Sequence, residues 1–146
     1  MSVSAGSGRL AYVLLVGNDV KTWGLCRKDA RSPEAAASRL RLWLAERDPD
    51  IIITEHPESD GRKGKRTRSI LRELCQVAAD QAALNIEVKR LRLYTSKYAE
   101  AAALARLYPT VASIVPAKRR PWESEPRGIT IFEALSLAHQ VLAKET

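Results

Sequence analysis

The chain has 146 residues, of which 45% are hydrophobic and 28% are charged, and its formal net charge is +7. This length suits one domain with a real core, and no apolar run approaches the roughly 20 residues that span a bilayer. Cys26 and Cys75 form no CxxC motif, so neither a zinc site nor a disulfide framework is indicated. The charge favours a polyanionic partner, nucleic acid before a membrane surface, although a basic scaffold that binds neither stays open.

The first nine residues are small and polar, with no apolar signal core. They predict a disordered tail over 1–9 and a cytoplasmic protein, with a single domain over 10–146. The domain is expected to begin with a β-hairpin. Its strands cover 10–16 and 20–26, and a turn at Gly17-Asn18-Asp19 joins them.

Hydrophobic periodicity and helix-capping residues predict the secondary structure of the rest of the chain. In order, the elements are a helix over 33–47, a short buried strand over 51–54, a helix over 69–85, a half-exposed strand over 86–94, a helix over 97–107, an irregular segment over 111–127 and a helix over 129–143. Strands that alternate with helices after an opening hairpin imply an α/β layered fold with right-handed crossovers.

The buried strand ends on Glu55, and a basic segment follows at once. A carboxylate at the end of a buried strand indicates that a metal, a proton or a cation uses its charge. Beside a basic loop, such an acid suits the handling of a phosphate backbone with a divalent ion. The alternative is that Glu55 only forms an ion pair with an arginine of that loop.

Two basic segments are the candidate nucleic-acid contacts, because Lys and Arg side chains bind phosphates without reading sequence. The residues concerned are Arg62, Lys63, Lys65, Arg66 and Arg68 in the first segment and Lys118, Arg119 and Arg120 in the second. A solvated loop is the alternative for the first segment. Trp122, beside the second, either stacks on a splayed base or anchors the loop by packing.

The order of elements, with a carboxylate at the end of the central strand, resembles the ribonuclease H-like fold and specifically its RuvC-like branch of Holliday junction resolvases. Three motifs carry the resemblance, which spans roughly Leu10 to Leu142: Pro49-Asp50-Ile51-Ile52-Ile53-Thr54-Glu55, Thr22-Trp23-Gly24 and Ile131-Phe132-Glu133-Ala134-Leu135-Ser136-Leu137-Ala138. The resemblance implies a three-layer fold with a mixed central sheet flanked by helices.

The resemblance also implies chemistry with two Mg²⁺ or Mn²⁺ ions, which need three or four converging acids. Glu55 and Glu133 match the family's places for catalytic metal ligands, Glu133 standing where Asp is usual. The family's first strand ends on an Asp, but the matching place here is taken to be Val16-Gly17. Asp19 is then the only candidate for the third catalytic ligand, unless it is simply a turn residue.

Two functions are therefore compared. The first is a metal-dependent endonuclease that acts on structured DNA. The second is a catalytically degenerate domain that binds nucleic acid or a protein partner without cleavage. DNA is preferred over RNA, and the resemblance implies a homodimer.

Overall fold

The structure is a computed structural model that describes residues 1–58, 63–117, 120–123, 126 and 128–144. Its five strands are β1 (Ser2–Gly6), β2 (Arg9–Val16), β3 (Asp19–Cys26), β4 (Ile51–Glu55) and β5 (Leu84–Val88). They form one sheet in the order β3-β2-β1-β4-β5. The pairs β1–β2 and β2–β3 are antiparallel, whereas β4 is parallel to β1 and to β5. The predicted mixed sheet is confirmed.

Four α-helices cover the two faces of this sheet. They are α1 (Pro33–Arg47), α2 (Lys65–Ala79), α3 (Lys97–Leu107) and α4 (Gly128–Lys144), and short 3₁₀ helices cover Lys28–Arg31 and Pro109–Ile114. Buried side chains of α1 and α2 pack with Val3 and Tyr12 on one face. Those of α3 and α4 pack with Ala11 and Val13 on the other face. The three-layer α/β architecture predicted from the sequence is therefore confirmed.

The predicted disordered tail is wrong, because residues 2–6 form the central strand of the sheet and all five are buried. The Met1 amine donates to the Ile51 carbonyl at 2.6 Å, and the Ile53 N–H donates to the Met1 carbonyl at 2.8 Å. Small residues are used here because α4 crosses close to the strand, and the Ser2 hydroxyl donates to the Ala134 carbonyl at 2.6 Å. A strand in which Val3 is the one large apolar residue lacks the hydrophobic pattern that identifies most strands.

The helix starts were predicted well where a capping side chain marks them. The Ser32 hydroxyl accepts a hydrogen bond from the Ala35 N–H at the start of α1, and Ser96 does the same for Ala99 at the start of α3. The α2 start lacks such a signal, and the helix begins at Lys65, four residues before the predicted start at 69. Strand β5 is shorter than predicted because β4, its partner, ends at Glu55 opposite Val88.

Candidate functional site

The candidate site lies where the parallel strands β1 and β4 end, which we call the carboxyl edge of the sheet. Ser2 pairs with Ile53, so β1 and β4 run side by side toward this edge, where β4 ends on Glu55. Helix α4 brings Glu133 to the same place, and the Ser4 hydroxyl lies 3.4 Å from Glu133 Oε2. Three elements that are distant in sequence thus meet at this edge.

A lysine ammonium joins the two carboxylates. Lys63 Nζ lies 3.1 Å from Glu55 Oε1, 3.1 Å from Glu133 Oε2 and 2.9 Å from the Ala5 carbonyl oxygen. These three acceptors match the three N–H donors of an ammonium group. The side chains are 10% exposed for Lys63, 0% for Glu55 and 9% for Glu133, so the two ion pairs are shielded from water. The structure therefore brings the two predicted acids together on one internal cation.

A second buried cation, Arg90, follows β5. Its Nη1 lies 3.7 Å from Glu133 Oε2, and its Nη2 donates to Glu100 on α3. The Ser136 hydroxyl on α4 donates to the other Glu100 oxygen at 3.1 Å. Burial opposes the charge of Arg90, but the attraction of Glu133 and Glu100 outweighs it and raises the pKa of the guanidinium above its ordinary value. Lys63 and Arg90 thus offset most of the carboxylate charge at the carboxyl edge.

Asp19 lies elsewhere, and its prediction as a third ligand was wrong. Because β2 runs antiparallel to β1, Gly6 pairs with Arg9 at the carboxyl edge, while the other end of β2 pairs Val16 with Asp19. Asp19 is exposed at that opposite edge of the sheet. The error came from matching Val16-Gly17 to the end of the family's first strand.

The first strand of this fold is β1, which sequence analysis missed. Its sequence is Ser-Val-Ser-Ala-Gly, so this strand contributes no carboxylate to the site. Its only sequence signal is the alternation of Val3 and Ala5 with two serines. Lys63 and Arg90 were also missed as members of the site: Lys63 was assigned only to phosphate contacts, and Arg90 carried no motif.

The residues of the site do not fit a two-metal centre as they are arranged. Such a centre needs three or four carboxylates that are free to bind hard cations. Glu55 and Glu133 both contact the Lys63 ammonium, and Glu100 is held by Arg90 and Ser136. Within the described ranges, no three or more His, Cys, Asp or Glu residues are grouped so that they could hold a metal ion.

The predicted phosphate contacts of the first group lie in different environments. Lys65 and Arg66 are exposed on the first turn of α2 and not in a loop. Arg68 is half-buried, and its Nη1 lies 3.6 Å from Glu58 Oε2. Arg62 lies outside the described residues. Two exposed cations at a helix N-terminus remain suited to anion binding.

In the second group, Lys118 and Arg119 lie outside the described residues, and Arg120 is exposed. Arg120 Nε lies 3.8 Å from Glu123 Oε1, and its guanidinium lies 5.7 Å from the centre of the Trp122 ring. The Trp122 side chain is 76% exposed. It does not anchor the loop by packing, and stacking on a base stays a prediction.

A cleft of about 470 Å³ opens at the carboxyl edge. Gly64 and Ser96, the residues that precede α2 and α3, both line it, so two helix N-termini face the same space. Its basic lining residues are Lys63, Arg90, Arg92 and Lys97, and its acidic ones are Glu100 and Glu133. Helix N-termini and basic side chains together suit an anionic ligand.

The strand order and the two helical layers define a ribonuclease H-like α/β fold. The solved structure of Thermus thermophilus RuvC is similar to this chain, with a TM-score of 0.59 and 12% sequence identity over 99% of this chain and 94% of that chain. This similarity shows the RuvC-like fold. No family model matches the sequence, and no curated protein matches it. Within the described ranges, no helix is long and apolar enough to cross a membrane.

Proposed function

We propose that this chain is a RuvC-like protein that binds structured DNA at its carboxyl edge without cleaving it. The observation that carries the proposal is the Lys63 ammonium, which contacts both Glu55 and Glu133, the two carboxylates that a hydrolytic metal would need. Cleavage of the RuvC type requires those carboxylates to hold divalent ions, whereas backbone binding requires only positive charge and N–H donors.

Binding is supported by three features. The net charge is +7, basic side chains line the cleft, and two helix N-termini open into it. The RuvC-like fold adds the expectation of a nucleic-acid partner. DNA is proposed over RNA on the resemblance to the RuvC-like resolvases. That resemblance also leads us to propose a homodimer, which sedimentation velocity of the free and DNA-bound protein tests.

A metal-dependent endonuclease is the second candidate. It is favoured by the convergence of Glu55 and Glu133 on one point, since a carboxylate pair from a strand end and a helix is part of what such chemistry uses. It requires Lys63 to leave the carboxylates and a further ligand to enter. Asp19 cannot supply that ligand from the opposite edge of the sheet.

The test uses an end-labelled four-way DNA junction and a linear duplex, each incubated with the protein in Mg²⁺ or Mn²⁺ and analysed on native and denaturing gels. We expect a salt-sensitive shift without cut strands, and a stronger shift for the junction. Cleavage that Glu55→Gln abolishes would establish the endonuclease instead. Absence of any shift at low salt would contradict both nucleic-acid functions.

A charge-matched pair of variants locates the binding surface. Lys65→Ala/Arg66→Ala removes two exposed cations at the start of α2, and Lys21→Ala/Arg41→Ala removes two exposed cations from β3 and α1. If Lys65 and Arg66 each contact a phosphate, the first variant lowers the slope of log K against log salt by about 2, while the control stays close to the native protein. Equal decreases in slope for the two variants would show that DNA binding depends on total charge and not on the start of α2.

A further inference from the structure

We infer that the Lys63 ammonium is a built-in replacement for a divalent cation, and that removal of its charge opens a divalent-cation site at Glu55 and Glu133. The inference shares with the proposed function the contact of Lys63 with both carboxylates, but it does not depend on whether the cleft binds nucleic acid.

The acceptors around the ammonium are the kind that hard cations prefer. They are a carboxylate oxygen from β4, a carboxylate oxygen from α4 and the backbone carbonyl of Ala5 from β1, all within 3.1 Å of Lys63 Nζ. The Ser4 hydroxyl lies close to the same Glu133 oxygen. Oxygen ligands from three separate elements that converge on one point form a cation site in chemical terms.

Two positive charges face the three carboxylates of Glu55, Glu133 and Glu100. Lys63 supplies one positive charge between the two carboxylates, and Arg90 supplies a second at 3.7 Å from Glu133 Oε2. Both cations are largely buried, since each side chain is only 10% exposed, so solvent does little to screen these pairs. A free divalent ion would have to displace Lys63 and would then meet Arg90 as well.

The ammonium belongs to a residue at the start of α2. Lys63 directly precedes Gly64, the N-cap of α2, whose backbone is extended at φ −73° and ψ 173°. The absence of a side chain at Gly6 lets the Glu133 carboxylate approach β1, because a Cβ there would lie only 3.2 Å from Glu133 Oε2. The cation is therefore part of the folded chain, and its local concentration does not depend on free metal.

The first measurement is the uptake of Mn²⁺ by the native protein, followed by the electron paramagnetic resonance signal of free Mn²⁺. We expect no saturable binding, and no change in Tm on adding Mn²⁺ or EDTA. Saturable binding by the native protein that Glu55→Gln abolishes would overturn the inference. This measurement needs no variant that lacks Lys63, so a folding defect in such a variant does not affect its result.

The second measurement uses Lys63→Ala and Lys63→Met, with Lys21→Ala, an exposed lysine on β3, as the control. Without metal, both Lys63 variants should melt at a lower temperature, because two buried carboxylates lose their shared partner. Mn²⁺ should then bind to Lys63→Ala and raise its Tm, and Lys63→Ala/Glu133→Gln should lose that response. A Lys63→Ala protein that folds and does not respond to Mn²⁺ would contradict the inference. The gel-shift result is independent of these outcomes, so each hypothesis can fail separately.

Discussion

Gly6 shows how one small residue controls the geometry of a buried charge network. A Cβ at this position would lie 3.2 Å from Glu133 Oε2 and 3.4 Å from Oε1, closer than the carboxylate tolerates without moving. The Glu133 carboxylate rests against the backbone of β1 for this reason, and this contact keeps it within reach of Lys63.

Gly6→Ala should therefore destabilise the protein by about 1–3 kcal/mol, the usual cost of overpacking a close-packed interior. Urea unfolding measures the loss. Gly64→Ala is the matched control, since a Cβ added there would meet nothing within 4 Å and its φ is negative. If both variants lose the same free energy, contact with Glu133 is not the cause of the loss.

Cys75 illustrates the effect of burial on a single titrating group. Its thiol donates to the Glu55 carbonyl at 3.4 Å, and burial raises its pKa from 9.0 to about 11. In a Cys26→Ser background, alkylation by iodoacetamide at pH 8 should be much slower in the native protein than in urea, because the thiolate is the nucleophile. Equal alkylation rates in the native protein and in urea would show that the thiol is accessible to the reagent and that its pKa is not raised.

The same thiol contributes to the dependence of stability on pH. Between about pH 9 and 11 the unfolded chain releases this proton and the native chain retains it. The native state then binds more protons, so the free energy of unfolding falls as pH rises through this range. Urea unfolding should show a smaller fall for Cys75→Ala than for the parent protein.

At the scale of elements, the β2–β3 hairpin depends on a glycine opposite an aromatic ring. Gly24 pairs with Tyr12, and a Cβ on Gly24 would lie 2.3 Å from Tyr12 Cε1. The ring cannot easily move away, because it packs at 4.8 Å from the Trp43 ring and its hydroxyl accepts from Arg47 Nε at 3.1 Å. The hairpin and α1 are thereby locked together.

Gly24→Ala should cost about 1–3 kcal/mol or more, since the new methyl overlaps a ring held from two sides. Urea unfolding of Gly24→Ala, Tyr12→Ala and the double variant gives the coupling energy. We expect the double variant to be less destabilised than the sum of the single variants, because Tyr12→Ala removes the overlap. If the losses of the two single variants add up to that of the double variant, the new methyl at position 24 does not overlap the Tyr12 ring.

The elements predictable from the sequence were those with a local signal. Helix α1 has a capping Ser32 and Pro33 at its first position, and β4 is a run of β-branched residues. Strand β1 has neither, since its serines serve the close approach of α4, which lies more than a hundred residues away. Lys63 was found as a basic residue, but its place between Glu55 and Glu133 depends on three-dimensional packing alone.

At the scale of the whole molecule, the fold depends on β1 because it joins two parts of the sheet. Strands β3 and β2 lie on one side of β1, and β4 and β5 lie on the other. In hydrogen exchange, the amides of residues 2–6 should be protected as strongly as those of β4, whereas residues 92–95, which lie outside any helix or strand, should exchange fast. Rapid exchange of residues 2–6 would contradict the central position of the strand.

The pairing of β1 has a consequence for how the chain folds during synthesis. The Ser2 hydroxyl bonds the Ala134 carbonyl, 132 residues along the chain, and β1 also pairs with β4 about fifty residues away. Contacts this distant in sequence raise contact order and slow folding. We therefore expect β1 to pair with β2 early in synthesis and to complete its contacts only after β4 and then α4 have emerged from the ribosome.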